Sequence, residues 1–269
     1  MPEIDLSLLL YGLAVGLAAG AVAGTLAGLA GVGGGLIYMP LFYACMPRST
    51  EGVAVQVFAS LVAVVITGFF SARAHWRLGH IDNHAATQLL PGLIIGAGLG
   101  LWITLRLPDA WVLLALAALD AWIAFDYGRE AKHGSVSRLS LSLFSGPIGF
   151  VSGALGIGGG TMLAPLLRRF VALRFAVGTS ALCGLMMALG AITINMLLEN
   201  RWRDVLDGQL LFLSGAWLGI LLILPKSSSW SARLHNSVPE SVLRPALKVV
   251  FASLSAGLLI AVIVIVRTQ

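Results

Sequence analysis

Charged residues are scarce in this sequence. They make up 11% of its 269 residues, against about 25% in soluble domains. A surface that poor in charge is not built to face water. Cysteine is nearly missing as well. Cys45 and Cys183 both fall in apolar stretches, and neither has another cysteine or a histidine at ligand spacing. That excludes a disulfide framework and a cysteine-based metal centre, and the two thiols read as small packed hydrophobes. The opening Met1-Pro2-Glu3-Ile4-Asp5 has no basic start of the kind a cleaved leader carries, so the first apolar segment is expected to be retained. Period-2 alternation is also lacking, which removes the strands of a membrane barrel.

What fills the sequence is uncharged apolar chain. Residues 6–47, 52–72, 85–105, 139–167, 175–198, 209–225 and 249–266 contain no charged side chain. A spanning helix needs roughly 20 such residues, and a helix satisfies its backbone polar groups internally. The composition therefore predicts an all-α polytopic membrane protein with the lipid bilayer as its partner. Helices are expected near 52–72, 86–105, 109–126, 174–198, 206–224 and 245–266, with a polar loop at 225–244. The net charge of +5 comes from basic residues in short loops between apolar segments. Membrane topology demands that placement, so no nucleic acid is expected. Trp76, Trp111, Trp202 and Trp230 lie near segment ends, as interfacial anchors do.

One pattern occurs twice. Gly28-Leu-Ala-Gly31-Val-Gly33-Gly34-Gly35, followed by Pro40, matches Gly153-Ala-Leu-Gly156-Ile-Gly158-Gly159-Gly160, followed by Pro165, at a constant offset of 125. Duplication accounts for it better than chance. The chain then divides into a first half, residues 1–126, a polar linker, 127–138, and a second half, 139–269.

Lysine and arginine positions choose between two topologies. If each Gly run merely interrupts a spanning helix, the basic residues split 8 (48, 106, 168, 169, 174, 226, 233, 244) against 8 (73, 77, 129, 132, 138, 201, 203, 267), leaving Lys248 aside. If each run is the tip of a re-entrant hairpin, the split becomes 5 (48, 106, 201, 203, 267) against 11. The second obeys the positive-inside rule with the N-terminus outside. Each half is then a Gly-broken hairpin plus three transmembrane helices. Three crossings is an odd number, so the repeats are inverted, as in many secondary transporters. The segments 139–155 and 161–172 are short for a crossing, as a hairpin requires; 6–30 is long enough to span or to re-enter.

Clustered glycines break a helix, and broken backbone in lipid must be buried in protein or line a wet cavity. Each run precedes a short apolar stretch, 36–46 or 161–167. A helix start offers free N–H groups and a partial positive charge. Two such starts form an uncharged cradle for a small anion. Gly31, Gly33, Gly34 and Gly35 would line it from one half, and Gly156, Gly158, Gly159 and Gly160 from the other. Thr161, Thr179 and Ser180 follow the second run and offer hydroxyls, and Gln56 offers an amide. Close helix packing is the competing reading of such small residues. Asp120, inside the apolar segment 109–126, is a candidate for a coupling proton, or else pairs with Arg129 or Lys248. Gln88 and Asn195 are expected to bond across helices. His75, His80 and His84 read as a solvated polar turn, so no metal and no cofactor are expected. Hydrolytic chemistry fits poorly: Ser152-Gly153 follows Phe150-Val151 rather than completing G-x-S-G, and no histidine lies deep in an apolar helix.

The pair GLAGVGGGLIYMPLF and GALGIGGGTMLAPLL resembles the duplicated motif of the TauE/SafE sulfite exporter family, also called the sulfonate uptake permease group. Ala176-Val177-Gly178-Thr179-Ser180 is similar to that family's A-x-G-T-S stretch. The first half departs from it, reading Ala54-Val55-Gln56-Val57-Phe58. The resemblance implies transport of sulfite or organosulfonate-type anions across a bacterial cytoplasmic membrane. An anion channel or a permease of unrelated substrate is the alternative, and homo-oligomerisation is left open.

Overall fold

The computed structural model describes residues 6–30, 34–47, 52–126, 138–167, 171–235 and 240–268, and the elements they form are all α-helices. In chain order they are α1 (Leu6–Ala30), α2 (Gly35–Cys45), α3 (Ala54–Arg77), α4 (Asn83–Thr104), α5 (Asp109–Asp126), α6 (Arg138–Leu155), α7 (Gly160–Leu167), α8 (Leu173–Leu198), α9 (Arg201–Asp207), α10 (Leu210–His235) and α11 (Glu240–Thr268). Six described stretches are long and apolar enough to cross a bilayer: Leu6–Thr25, Ala54–Arg77, Asn83–Thr104, Arg174–Leu198, Leu210–Ser227 and Lys248–Arg267. The protein is thus a multi-pass helical membrane protein. Helix α5 is apolar apart from Asp109, Asp120 and Asp126. The linker lies outside the described residues as far as 137.

Three local expectations need correction. Residues 201–207 form the separate helix α9, so the helix expected at 206–224 starts later, at Leu210. The polar loop expected at 225–244 is largely helical. Helix α10 continues over Pro225 to His235, and α11 begins at Glu240. A neighbouring helix absorbs part of that polarity, because Ser227 Oγ lies 3.2 Å from the Gly20 carbonyl of α1. Trp202, expected at the interface, is fully buried instead. Its Nε1 donates to Asn195 Oδ1 at 3.2 Å, and its ring packs 5.0 Å from that of Phe58.

Glycine decides how the long helices pair. Along α1, Gly12, Gly16 and Gly20 abut Phe212, Ala216 and Ile220 of α10 in turn, so the two helices run side by side in one direction. Gly96 and Gly100 of α4 abut Gly146 and Phe150 of α6 in the same parallel sense. At most of these positions a Cβ would strike the neighbour's backbone. Small residues four apart give two helices a flat face, and the association in lipid rests on that close packing.

Helices α3 and α8 cross antiparallel. Gly68 meets Leu185, and Gly178 meets His75 and His80 near opposite ends of their helices. Helix α8 runs parallel to α4: the Asp82 amide donates to Thr179 Oγ1 (2.9 Å), Gly190 meets Ile94, and Asn195 Nδ2 donates to the Gly98 carbonyl (2.9 Å). Asn195 therefore bonds across helices as expected. Helix α5 pairs with α11, α2 with α3, and α7 with α8. Exchanging α1, α2, α3, α4 and α5 for α6, α7, α8, α10 and α11 leaves this set of pairings unchanged.

The first broken segment folds back on itself. The Tyr11 hydroxyl, near the start of α1, donates to the Cys45 carbonyl at the end of α2 (2.8 Å). Gly34 lies against Ala23. Helix α2 thus returns along α1, and their outer ends meet on one side.

The glycine faces give a direct test. Gly16→Leu and Gly96→Leu each drive a side chain into a neighbouring backbone, and overpacking of that kind costs roughly 1–3 kcal/mol or more. Both variants should melt several degrees lower in detergent. Gly146→Ala, where a Cβ meets nothing within 4 Å, should melt as the parent does.

Candidate functional site

The glycines of the second run are demanded by backbone conformation. Gly156 and Gly158 have φ of +69° and +68°, in the left-handed region where a Cβ is penalised. Two such residues within three positions end α6 and turn the chain into α7. Gly156, Ile157, Gly158 and Gly159 are all buried. Gly158 packs on Val64 in the middle of α3, and Gly159 lies by Gly184 and Met187 in the middle of α8. The break therefore sits at the centre of the α3–α8 crossing.

The first run reaches the same place. A Cβ on Gly35 would strike the Ile157 carbonyl, so the start of α2 touches the turn before α7 backbone to backbone. Ser60 of α3 fastens the junction. Its hydroxyl donates to the Gly156 carbonyl at 2.6 Å and lies 3.5 Å from the Gly35 carbonyl. On the other side, the amides of Gly159 and Gly160 face the bare backbone of Gly184, where the nearest groups to an added Cβ would be those two nitrogens at 3.6 and 3.4 Å. The nearest groups to a Cβ placed at the described tip glycines are uncharged.

Of the residues singled out in the sequence, Gly34, Gly35, Gly156, Gly158, Gly159 and Gly160 are thus brought together; Gly31 and Gly33 lie outside the described residues. Thr161 is at the tip as well, buried in the first turn of α7, with Oγ1 3.4 Å from the Gly158 carbonyl. The other polar candidates are held elsewhere. Gln56 is buried one turn before Ser60, and its amide, oriented to satisfy its bonds, donates to the carbonyls of Gly52 (2.9 Å) and Val53 (3.0 Å). Thr179 accepts from the Asp82 amide, and Ser180 donates to the Val177 carbonyl at 2.9 Å. Both lie toward the α3–α4 turn.

Asp120 belongs to another part of the bundle. It is fully buried on α5, which packs chiefly against α11, and among the described residues neither carboxyl oxygen has a hydrogen-bond partner. Lys248, one of the two cations considered for it, is exposed; the other, Arg129, lies outside the described residues. One turn earlier Ser255 Oγ donates to the Ala117 carbonyl at 2.9 Å. A buried carboxyl without partners is costly as an anion.

Two features of the site escaped the sequence reading. Ser60 is one more small residue in an apolar run, with nothing in its spacing to single it out from Thr67 or Ser71. The ladders Gly12-Gly16-Gly20-Gly24 and Gly92-Gly96-Gly100 are plain in the sequence at i, i+4 spacing. The denser GVGGG runs drew attention away from them.

Residues 16–258 match the sulfite exporter TauE/SafE family. A protein of Haemophilus influenzae named "Probable membrane transporter protein" is 33% identical over 235 residues, covering 83% of this chain and 88% of that one. No solved structure matches the chain.

Neighbouring glycines of the second run should respond differently to alanine. At Gly158 the side chain meets a left-handed φ and Val64, a cost of roughly 1–2 kcal/mol, which lowers the melting temperature by about 3–8 °C. At Gly159 a Cβ comes no nearer than 3.4 Å, to the flexible Met187 sulfur. Gly159→Ala should therefore melt close to the parent, and equal melting of the two variants would contradict this tip geometry.

Proposed function

The chain belongs to the sulfite exporter TauE/SafE family, and we propose that it is a secondary transporter of small sulfur-containing anions of the sulfite or organosulfonate type. The observation that carries this reading is the meeting of the two Gly runs, Gly35 against Ile157, at the centre of the bundle. Broken backbone is tolerated at that depth only where it is buried in protein or lines a wet cavity, and a cavity there would be lined by both runs. Helix starts there present amide hydrogens and the positive ends of two dipoles to a negative guest. Neutral donors bind an oxyanion without a buried lysine or arginine, and they let it go again. The substrate leaves chemically unchanged, so no enzymatic step is assigned.

The helix directions support inverted repeats. Helix α4 is parallel to α6 and α8 and antiparallel to α3. Trp217 of α10 donates to the Ala59 carbonyl near the start of α3, which brings the starts of the two helices together and supports α10, and with it α1, running along α3. Helix α1 then opposes its counterpart α6, and α3 opposes α8. These directions agree with the topology in which the basic residues split 5 against 11, with the eleven on one face. By the positive-inside rule that face is cytoplasmic. Both termini are then periplasmic in a bacterial inner membrane. Opposed halves provide alternating access: rocking one against the other opens the central junction to each side in turn. Asp120 is our candidate for the coupling proton.

Three measurements test this. Phosphatase fused to either terminus should be active outside the cell, and fusions in the 127–138 linker should not. Sulfite or a sulfonate at 100 times its Kd should stabilise the purified protein by about 2.7 kcal/mol, while chloride should not. Flux into proteoliposomes should saturate and follow an imposed pH gradient, and Asp120→Asn should remove the gradient dependence while leaving anion binding intact. Unsaturated flux indifferent to the gradient would instead mark a channel.

A further inference from the structure

Tyr38 is a polar group that the packing leaves unexplained. It lies one turn into α2 with its amide on the Gly34 carbonyl (3.2 Å), and it is fully buried. Side chains on a helix lean toward its N-terminus, and this ring leans back over Gly34, the N-cap. A Cβ on Gly34 would stand 2.8 Å from Tyr38 Cε2 and 3.3 Å from Cζ. The phenol is thus carried to the start of α2, the end that meets the second Gly run. Among the described residues its hydroxyl oxygen has no hydrogen-bond partner. Thr67 of α3 is a polar neighbour off hydrogen-bond geometry, and its own hydroxyl donates to the carbonyls of Ala63 (3.0 Å) and Val64 (3.1 Å).

A buried hydroxyl without a partner costs stability. Phenylalanine would fill the same space, and the ring already stacks 6.3 Å from that of Phe42. The extra oxygen therefore does nothing for the packing of this state. The start of α2 has no side-chain cap either. An unspent O–H donor thus stands beside uncapped amides, and the guest that suits both is an acceptor with several lone pairs and a negative charge.

We propose that the Tyr38 hydroxyl is the side-chain donor of the anion site, giving a hydrogen bond to one oxygen of an oxyanion seated at the start of α2. The proposal rests on the transporter reading above and names a side-chain donor for its site. A phenol is neutral, so it adds a charge-assisted bond on binding without turning the site into a trap.

The test compares full-length wild type and Tyr38→Phe, in detergent and in proteoliposomes, with sulfite as the probe. Without sulfite the variant should melt at or above the wild-type temperature, since an unpartnered hydroxyl has been removed. Sulfite should stabilise it less, with Kd and the KM of flux raised roughly tenfold to a hundredfold. In wild type labelled with 3-fluorotyrosine, the fluorine signal absent from Tyr38→Phe should shift on adding sulfite, which a purely structural tyrosine would not do. Equal sulfite affinity in both proteins, with no shift of that signal, overturns the role of Tyr38 and leaves the transporter reading standing. A wild type that neither binds nor moves sulfite or a sulfonate overturns both.

Discussion

A helix broken inside a bilayer exposes amides and carbonyls that lipid cannot satisfy, and most of this structure answers that constraint. The second Gly run must turn through two left-handed residues, Gly156 and Gly158. It is buried against the middle of α3 and α8, and its counterpart Gly35 closes over the Ile157 carbonyl. Ser60 ties the two pieces with one hydroxyl. Around this core the long helices are drawn together by flat glycine faces, α1 on α10 and α4 on α6. Without such faces the crossing helices could not come near enough to seal the broken backbone from lipid.

Glycine is thus used in two ways. Packing and binding were competing readings of small residues. Packing belongs chiefly to the regular ladders, Gly12-Gly16-Gly20 and Gly96-Gly100, where backbone meets backbone along whole helices. The duplicated clusters pack closely too, Gly35 on Ile157 and Gly158 on Val64, and in addition they end helices, start others and bring two starts to one point. On the proposed reading, the paired long helices move as stiff units about the α3–α8 crossing, and the junction between the starts changes the side it faces.

Much of this could be read from the residues. The membrane class followed from charge scarcity. The Gly-run tips were located to within a residue or two because glycine clusters and Pro40 and Pro165 punctuate the chain sharply. The polar candidates make hydrogen bonds that the residues alone do not announce. Gln56, Thr179 and Ser180 were chosen for their chemistry, yet each is held by local backbone: Gln56 by the residues before α3, Thr179 by the α3–α4 turn, and Ser180 by its own helix. Sequence carries no record of which way a hydroxyl turns on a buried helix. For the same reason Ser60 and Tyr38 went unnoticed. Trp202 misled because a tryptophan at a segment end anchors to lipid headgroups or packs inward according to its partner, here Asn195 and Phe58. The loop expected at 225–244 became helix because serines and a proline break helices in water more readily than beside α1, where Ser227 reaches the Gly20 carbonyl.

The central claim is that the meeting point of the two Gly runs is where the substrate sits. Determining the structure with sulfite or a small sulfonate bound tests it most directly. The account predicts anion density at the starts of α2 and α7, within hydrogen-bond reach of glycine amides from both runs. Density seated elsewhere in the bundle, with Gly35 still closed on Ile157, would contradict it.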